Sequence, residues 1–465
     1  MRLWRNFLSL FIGNALCRFL GFVTILYLAR TLAISDFGKI NFALAIFTYA
    51  QLLADPGLST LGTREVAKNR TKGKTFSENL FVSRLLGLRL LLAFFSFLIM
   101  ALFVLLISQS PSTKGLIISY GLSLFPFALL LDWFFQAQER MEYIALSRIL
   151  TSLIYFFLVI TLIKSSAQVS RIPFFWLIGN VGAALFLFSF FLRNSGRLKL
   201  TLDFSFWKMF LKLSLSLGVA AGMIQVYSNF ALVALGFLKG DECVAFYSAA
   251  YKLVFFVLML DRIFCEVVFP LISRYSQISL QRLKEILTEF LKLVNITAIP
   301  ISVGGTILAR PLMHLIYGGK YDHGAVVLQI LIWLVFITSL NSIYTYGLIG
   351  LDKEKEYAWA ITLGTVSNVV LNLSLIPFLE TSGAALAAVL SEGLMLMLMY
   401  IKLEKVVKLQ FWNYLLKPFL SSLIMVFFLW FLREENLFLL LGGGVLIYFA
   451  SLYLMGEKTS WLPKK

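Results

Sequence analysis

Apolar runs of about 20 residues alternate with short polar stretches from one end of the chain to the other, and a run of that length crosses the hydrocarbon core of a bilayer as a helix. The runs lie near residues 6–33, 37–58, 80–108, 115–138, 143–164 and 171–193, then 207–238, 243–270, 285–309, 324–349, 357–379 and 383–402, with a last pair at 411–432 and 436–456. This pattern predicts an all-α polytopic membrane protein with about 14 transmembrane helices. Between the sixth and seventh runs, Leu198, Leu200, Leu202, Phe204 and Phe206 alternate with polar neighbours. A single alternating segment has no strand partner, so the expectation is an interfacial linker over 196–206 anchored by Phe204, Phe206 and Trp207. The linker separates a six-helix lobe, 1–195, from a second one, 207–405, and residues 406–465 form an additional helix pair with a short cytoplasmic tail.

Composition agrees with lipid as the solvent. Of 465 residues, 60% are hydrophobic and 14% charged, with mean hydropathy +0.86, whereas soluble proteins are about a quarter charged. The first run is too long for the apolar part of a signal peptide and carries Arg18, so it counts as helix 1. Cys17, Cys243 and Cys265 have no metal-ligand spacing and read as packing residues.

A net charge of +17 would point to nucleic acid in a soluble protein, but here the charges follow the membrane. Of 41 Lys and Arg residues, 27 fall in loops and helix ends on one side, nine on the other, and five inside the runs. Cytoplasmic loops collect Lys and Arg, so both termini are expected in the cytoplasm. Gaining or losing one span would mix the two sets; twelve spans is the nearest alternative. Ser35 to Ala43 after helix 1 also echoes Glu242 to Ala250 after helix 7, as expected of two related six-helix halves.

Charges inside the runs carry the candidate chemistry, because one at a helix centre costs about 2.5–3.5 kcal/mol on insertion scales. They are Arg18, Asp55, Arg84, Arg89, Asp132, Lys252, Asp261, Arg262, Glu266 and Glu392. Arg18 lies too deep to reach the headgroups and shares a face with Asn14. Arg84 and Arg89 are nearer the cytoplasmic end, where snorkelling competes with a binding role. Arg262 and Glu266, spaced i, i+4, are expected to neutralise each other, which leaves Lys252 as the better ligand. Asp55, Asp132, Asp261 and Glu392 are candidates for binding a coupling cation, Na+ or H+, or for balancing the arginines. No other cofactor and no metal is expected. Several Arg and Lys in a low-dielectric, water-filled pocket between two helical bundles suit an anion, a diphosphate above all, because the planar guanidinium fork donates in pairs. Gln225, Asn229, Asn368 and Asn372 would face sugar hydroxyls or bond between helices.

Arg18-Phe19-Leu20-Gly21, Ala29-Arg30, Asp36-Phe37-Gly38, Asp55-Pro56-Gly57-Leu58, the stretch from Gly62 to Ala67, that from Asp132 to Met141, and that from Ala245 to Leu253 together resemble the polysaccharide-transport flippases of the Wzx type. The resemblance covers most of the chain. It implies the fold of the multidrug and oligosaccharidyl-lipid exporter superfamily: two six-helix lobes around a central cavity, plus a C-terminal helix pair. It also implies a flippase that moves oligosaccharide on undecaprenyl diphosphate outward across a bacterial inner membrane by alternating access, for O-antigen or another surface polysaccharide. Arg18 and Lys252, with Arg30 and Arg89 beside them, would hold the diphosphate. Membrane lipids, a polysaccharide polymerase and assembly proteins would be its partners. The chain departs from many relatives in having no acid between Asn229 and Leu232, which leaves ion coupling open. It also has Phe22-Val23-Thr24-Ile25 in place of an Arg-Asp pair after Gly21, which disfavours the lipid II flippase branch.

Other classes fit less well. A multidrug and toxin exporter moves cations and would want an acidic cavity. A membrane-embedded glycan polymerase or ligase needs a large outer loop or metal-binding acids, yet the longest outer loop is about Arg310 to His323, and His314 and His323 lie in it with no nucleophile beside them. No phosphate loop of the GxxxxGK[ST] form is present. The chain is therefore expected not to be an enzyme.

Overall fold

The computed structural model describes residues 2–71, 78–195, 201–433 and 435–456, with backbone alone at 2–12, 70–71, 194–195 and 220. Among the described residues every regular element is a helix. The chain falls into two compact units, Met1–Phe237 and Leu238–Lys465.

The first unit contains α1 (Arg2–Thr31), α2 (Ile34–Ala54), α3 (Leu58–Thr71), α4 (Glu78–Leu106), α5 (Pro111–Gly121), α6 (Leu124–Leu129), α7 (Asp132–Ala137), α8 (Met141–Leu162), α9 (Ile172–Ser195) and α10 (Phe204–Leu238). The second contains α11 (Asp241–Ser276), α12 (Leu280–Ile307), α13 (Ala309–Tyr317), α14 (Ala325–Leu331), α15 (Trp333–Gly350), α16 (Glu354–Glu404), α17 (Leu416–Phe431) and α18 (Leu437–Leu454). Among the described residues, eleven helical stretches are long and apolar enough to cross a membrane. One of these, α16, breaks at Glu380, whose φ of 51° turns the chain back just after Pro377. The 30-residue α1 and 36-residue α11 are also long enough to span. This is a multi-pass membrane protein with about the expected fourteen passes.

Three expectations change in the first unit. The fourth apolar run is not one helix but three, α5 to α7, with the chain extended at Leu130. The polar segment after the second run is largely helical, as α3. The seventh helix, assigned to the second lobe by sequence, lies in the first unit as far as Phe237. Trp207 of α10 is 5% exposed, and its Nε1 donates to Arg84 O at 2.8 Å. It is thus anchored in protein rather than in the headgroup layer. Residues 196–200 of the expected linker and 457–465 of the tail lie outside the described residues. The segments that echo one another open α2 and α11.

Apolar burial holds each unit. In the first, Leu61, Val82, Leu85, Phe134, Phe135 and Phe191 form a core between α3, α4, α7 and α9. In the second, Met425 and Leu429 of α17 meet Leu440 and Tyr448 of α18, and the Tyr448 hydroxyl donates to Ile296 O of α12 at 2.8 Å.

Candidate functional site

The break in the fourth run determines what Arg89 does. A helix that stops inside a bilayer leaves carbonyls without intrahelical partners, and these must be met by protein. Arg89, 2% exposed on α4, donates from Nη1 to Leu130 O at 2.7 Å and from Nη2 to Phe127 O at 3.1 Å. The same Nη2 lies 3.2 Å from Asp55 Oδ2. Asp55, at the end of α2, also accepts from Ser59 N at 3.0 Å and from the Ser59 hydroxyl, so it tethers the start of α3. One guanidinium therefore ties α4 to the α2–α3 corner and to the end of α6.

Beside this knot lies a cavity of about 410 Å³, lined by Ser59, Thr63, Arg64, Arg89, Asp132 and Arg148 among others. Thr63 fixes α3 over α7, its hydroxyl lying 3.0 Å from both Ser59 O and Trp133 O. Arg148 Nε is 3.5 Å from Asp132 Oδ2, and its Nη1 donates to Asn14 Oδ1 of α1 at 3.3 Å. Three guanidinium groups thus face one carboxylate in the lining, with Asp55 behind Arg89. A surplus of planar, permanently charged donors in a half-enclosed space suits an anion rich in acceptor oxygens. Arg64 and Arg148 look in the sequence like orientation signals at helix ends.

The remaining candidates stand elsewhere. Arg18 is half-buried on α1, one turn beyond Asn14. Arg30 is exposed in the last turn of α1, about 24 Å from Asn14 at 1.5 Å per residue, so it is not brought to this cavity. Lys252 is half-buried on α11 in the second unit. Arg84 does not snorkel. It pairs with Asp203 at 3.0 Å, because the chain before α10 carries that carboxylate to it. Arg262 lies over the Phe255 ring at 4.9 Å instead of neutralising Glu266, since the ring two turns back offers a face to the exposed guanidinium.

In the second unit, Asp261 accepts from Ser342 Oγ at 2.7 Å, and the buried Glu392 accepts from Asn341 Nδ2 at 2.8 Å and Thr338 Oγ1 at 3.1 Å. One turn of α15 thus serves two acids, one on α11 and one on α16. Asn341→Leu should destabilise the protein by about 1–3 kcal/mol by stripping a donor from a buried carboxyl group, read as a lower melting temperature. Asn229 bonds to Gln225 of its own helix at 3.2 Å. Asn368 donates to Ser391 Oγ at 2.9 Å across the α16 turn, and Asn372 donates to Asn368 O at 2.8 Å. His314 meets Asp322 at 3.2 Å, and His323 is exposed.

Comparison with known proteins places this architecture. Residues 3–276 match the family described as "Polysaccharide biosynthesis protein". A curated protein of Escherichia coli (strain K12), named for O-antigen transport, is 23% identical over 410 residues, 87% of this chain and 98% of that one. The fold is similar to that of the lipid II flippase MurJ in an inward closed conformation, with a TM-score of 0.77 at 17% identity over 96% of this chain and 97% of that one. It is also similar to an inward-facing multidrug resistance transporter of the MATE family, with a TM-score of 0.66 at 11% identity over 83% and 94%. In agreement with the Wzx-type resemblance of its motifs, the chain belongs to the polysaccharide biosynthesis protein family, on a fold shared with these transporters.

Proposed function

We propose that the protein is a flippase for lipid-linked polysaccharide units, and that its cargo is an oligosaccharide on undecaprenyl diphosphate moved from the cytoplasmic to the outer leaflet of a bacterial inner membrane by alternating access. The observation that carries the choice of cargo is the guanidinium-lined cavity of the first unit. Its charge favours a diphosphate and disfavours the cationic cargo of a multidrug exporter. The O-antigen assignment of the Escherichia coli relative supports the glycan class. The 27 basic residues on one side support cytoplasmic termini.

In this reading Arg18 and Lys252 add charge along the path, and Arg30 receives the anion near the outer end of α1. Asp261 and Glu392, grouped around one turn of α15, are the acids for a coupling cation, Na+ or H+. Polymerase and assembly proteins would take the cargo on the outer side.

Deleting the gene in its host should abolish surface polymer and raise undecaprenyl diphosphate-linked oligosaccharide. Expression of the wild type should restore export, and matched expression of Arg18→Ala should not. Unchanged glycans with increased drug sensitivity would instead favour the multidrug exporter reading, which the MATE-like fold keeps in play.

A further inference from the structure

The arginines of the cavity are held very differently. Arg89 makes contacts of 2.7, 3.1 and 3.2 Å to two backbone carbonyls and a carboxylate, and it is buried. An anion would have to break the end of α6 to move it. Arg148 is half-exposed and its two contacts, 3.5 Å to Asp132 and 3.3 Å to Asn14, lie at the outer limit of such bonds, where little free energy is lost on exchange. Arg64 is exposed at the rim on α3, which Thr63 fixes in place. A phosphate group brings three acceptor oxygens and more charge than one carboxylate, so it competes well for a loosely held guanidinium. The cavity of about 410 Å³ has room for a diphosphate headgroup with water around it.

We infer that this cavity is a phosphate site in which Arg148 and Arg64 are the exchangeable ligands over a fixed positive floor at Arg89, and that binding draws Arg148 away from Asp132 and Asn14. The inference rests on the proposed cargo only for the source of the phosphate. Its consequence is mechanical. Near the cavity α1 lies on α8 through Gly13, which packs against Ala145 and Ile149, and through the Asn14–Arg148 bond. Losing that bond removes the polar tether of α1 to α8 one turn before Arg18. About 20 Å further along, the Tyr27 hydroxyl stays on Ile163 O and Ile160 O, at 2.6 and 3.3 Å. Asp132 is the competitor that parks Arg148 when the cavity holds no anion, with Ser147 Oγ 3.4 Å from it.

The test uses the full chain in lipid nanodiscs titrated with inorganic pyrophosphate, with undecaprenyl diphosphate as competitor. Arg148→Gln should weaken pyrophosphate binding about ten- to a hundredfold, the range of one charge-assisted hydrogen bond, and Arg148→Lys should restore part of it. Asp132→Asn and Asn14→Ala should tighten binding severalfold, because each removes a rival partner. Hydrogen exchange around Asn14 should speed up with pyrophosphate in the wild type and be already fast in Arg148→Gln.

Wild-type affinity in Arg148→Gln, weaker binding in Asp132→Asn, or no binding of either diphosphate to the wild type overturns the site. If Arg148→Gln does not fold, the sign of the Asp132→Asn and Asn14→Ala effects decides. Displacement of pyrophosphate by undecaprenyl diphosphate assigns the site to the lipid headgroup. Lipid binding without displacement leaves a free-phosphate site and removes the link to cargo. Neither result depends on export in cells, so unchanged glycans on gene deletion would sink the proposed cargo while leaving this binding result intact.

Discussion

Arg89→Met is expected to destabilise the protein by about 3–5 kcal/mol, the cost of breaking a buried ion pair from one side. The substitution leaves Asp55, 9% exposed, as an uncompensated carboxylate in a low-dielectric interior. It also strips the guanidinium from Leu130 O and Phe127 O. Adding Asp55→Asn should recover part of the loss, because the amide oxygen still accepts from Ser59 N while the buried charge disappears. The residual deficit, about 1–3 kcal/mol, belongs to the carbonyls. Melting temperature in detergent, followed by size-exclusion after heating, reads both steps. A single variant as stable as the wild type, or a double variant less stable than the single, would show that Arg89 is not the anchor of this corner.

The same corner yields the second large effect. Asp55, Pro56 and Gly57 turn the chain from α2 into α3, with Gly57 at φ 84°. A Cβ there would stand 2.8 Å from Leu217 Cβ and 3.0 Å from Ser214 O of α10, and a Cβ on Gly218 would stand 2.8 Å from Pro56 O. Backbone presses on backbone at this crossing, so neither side can yield by rotating a side chain. Gly57→Ala should cost about 1–3 kcal/mol for the left-handed conformation alone, with the overlap added to it. Gly218→Val should push the corner off α10 and carry Asp55 away from Arg89. Its effect should then be non-additive with Arg89→Met, since both act on one contact. Simple additivity in that cycle would mean that the crossing and the ion pair are independent.

Helix number and order could be read from the sequence because a bilayer imposes a length on every span and basic residues mark alternate ends. The run from Phe411 onward and the short hairpin at Glu380 emerged from those two signals alone. The break around Leu130 did not, although Gly121 and Pro126 hint at it, because nothing local says whether neighbouring helices will satisfy the freed carbonyls. The partners of Arg89 were therefore invisible, being created by that break.

Arg148 was obscured for another reason. A basic residue near a helix end already has an explanation in membrane orientation. The sequence did hold a signal: Asp132 and Arg148 lie equally far from the tight turn at Arg140, and residues so placed on antiparallel helices meet. Asn368 and Ser391, set almost symmetrically about Glu380, meet in the same way. The pairing of Arg84 with Asp203 lacked such symmetry and needed the tertiary fold.

The turn at Glu380 also bears on how the chain enters the membrane. It joins the two arms of α16 through only three polar residues, Glu380 to Ser382, and Glu380 is itself held by Lys239 at 3.3 Å. The first arm carries Asn368 and Asn372, whose amides would be costly to expose to lipid singly. The second arm brings Ser391 to Asn368 as soon as it lies alongside. During synthesis the two arms should therefore enter the bilayer as one hairpin, since a stop placed between them would leave Asn368 without Ser391, the partner it has on the second arm.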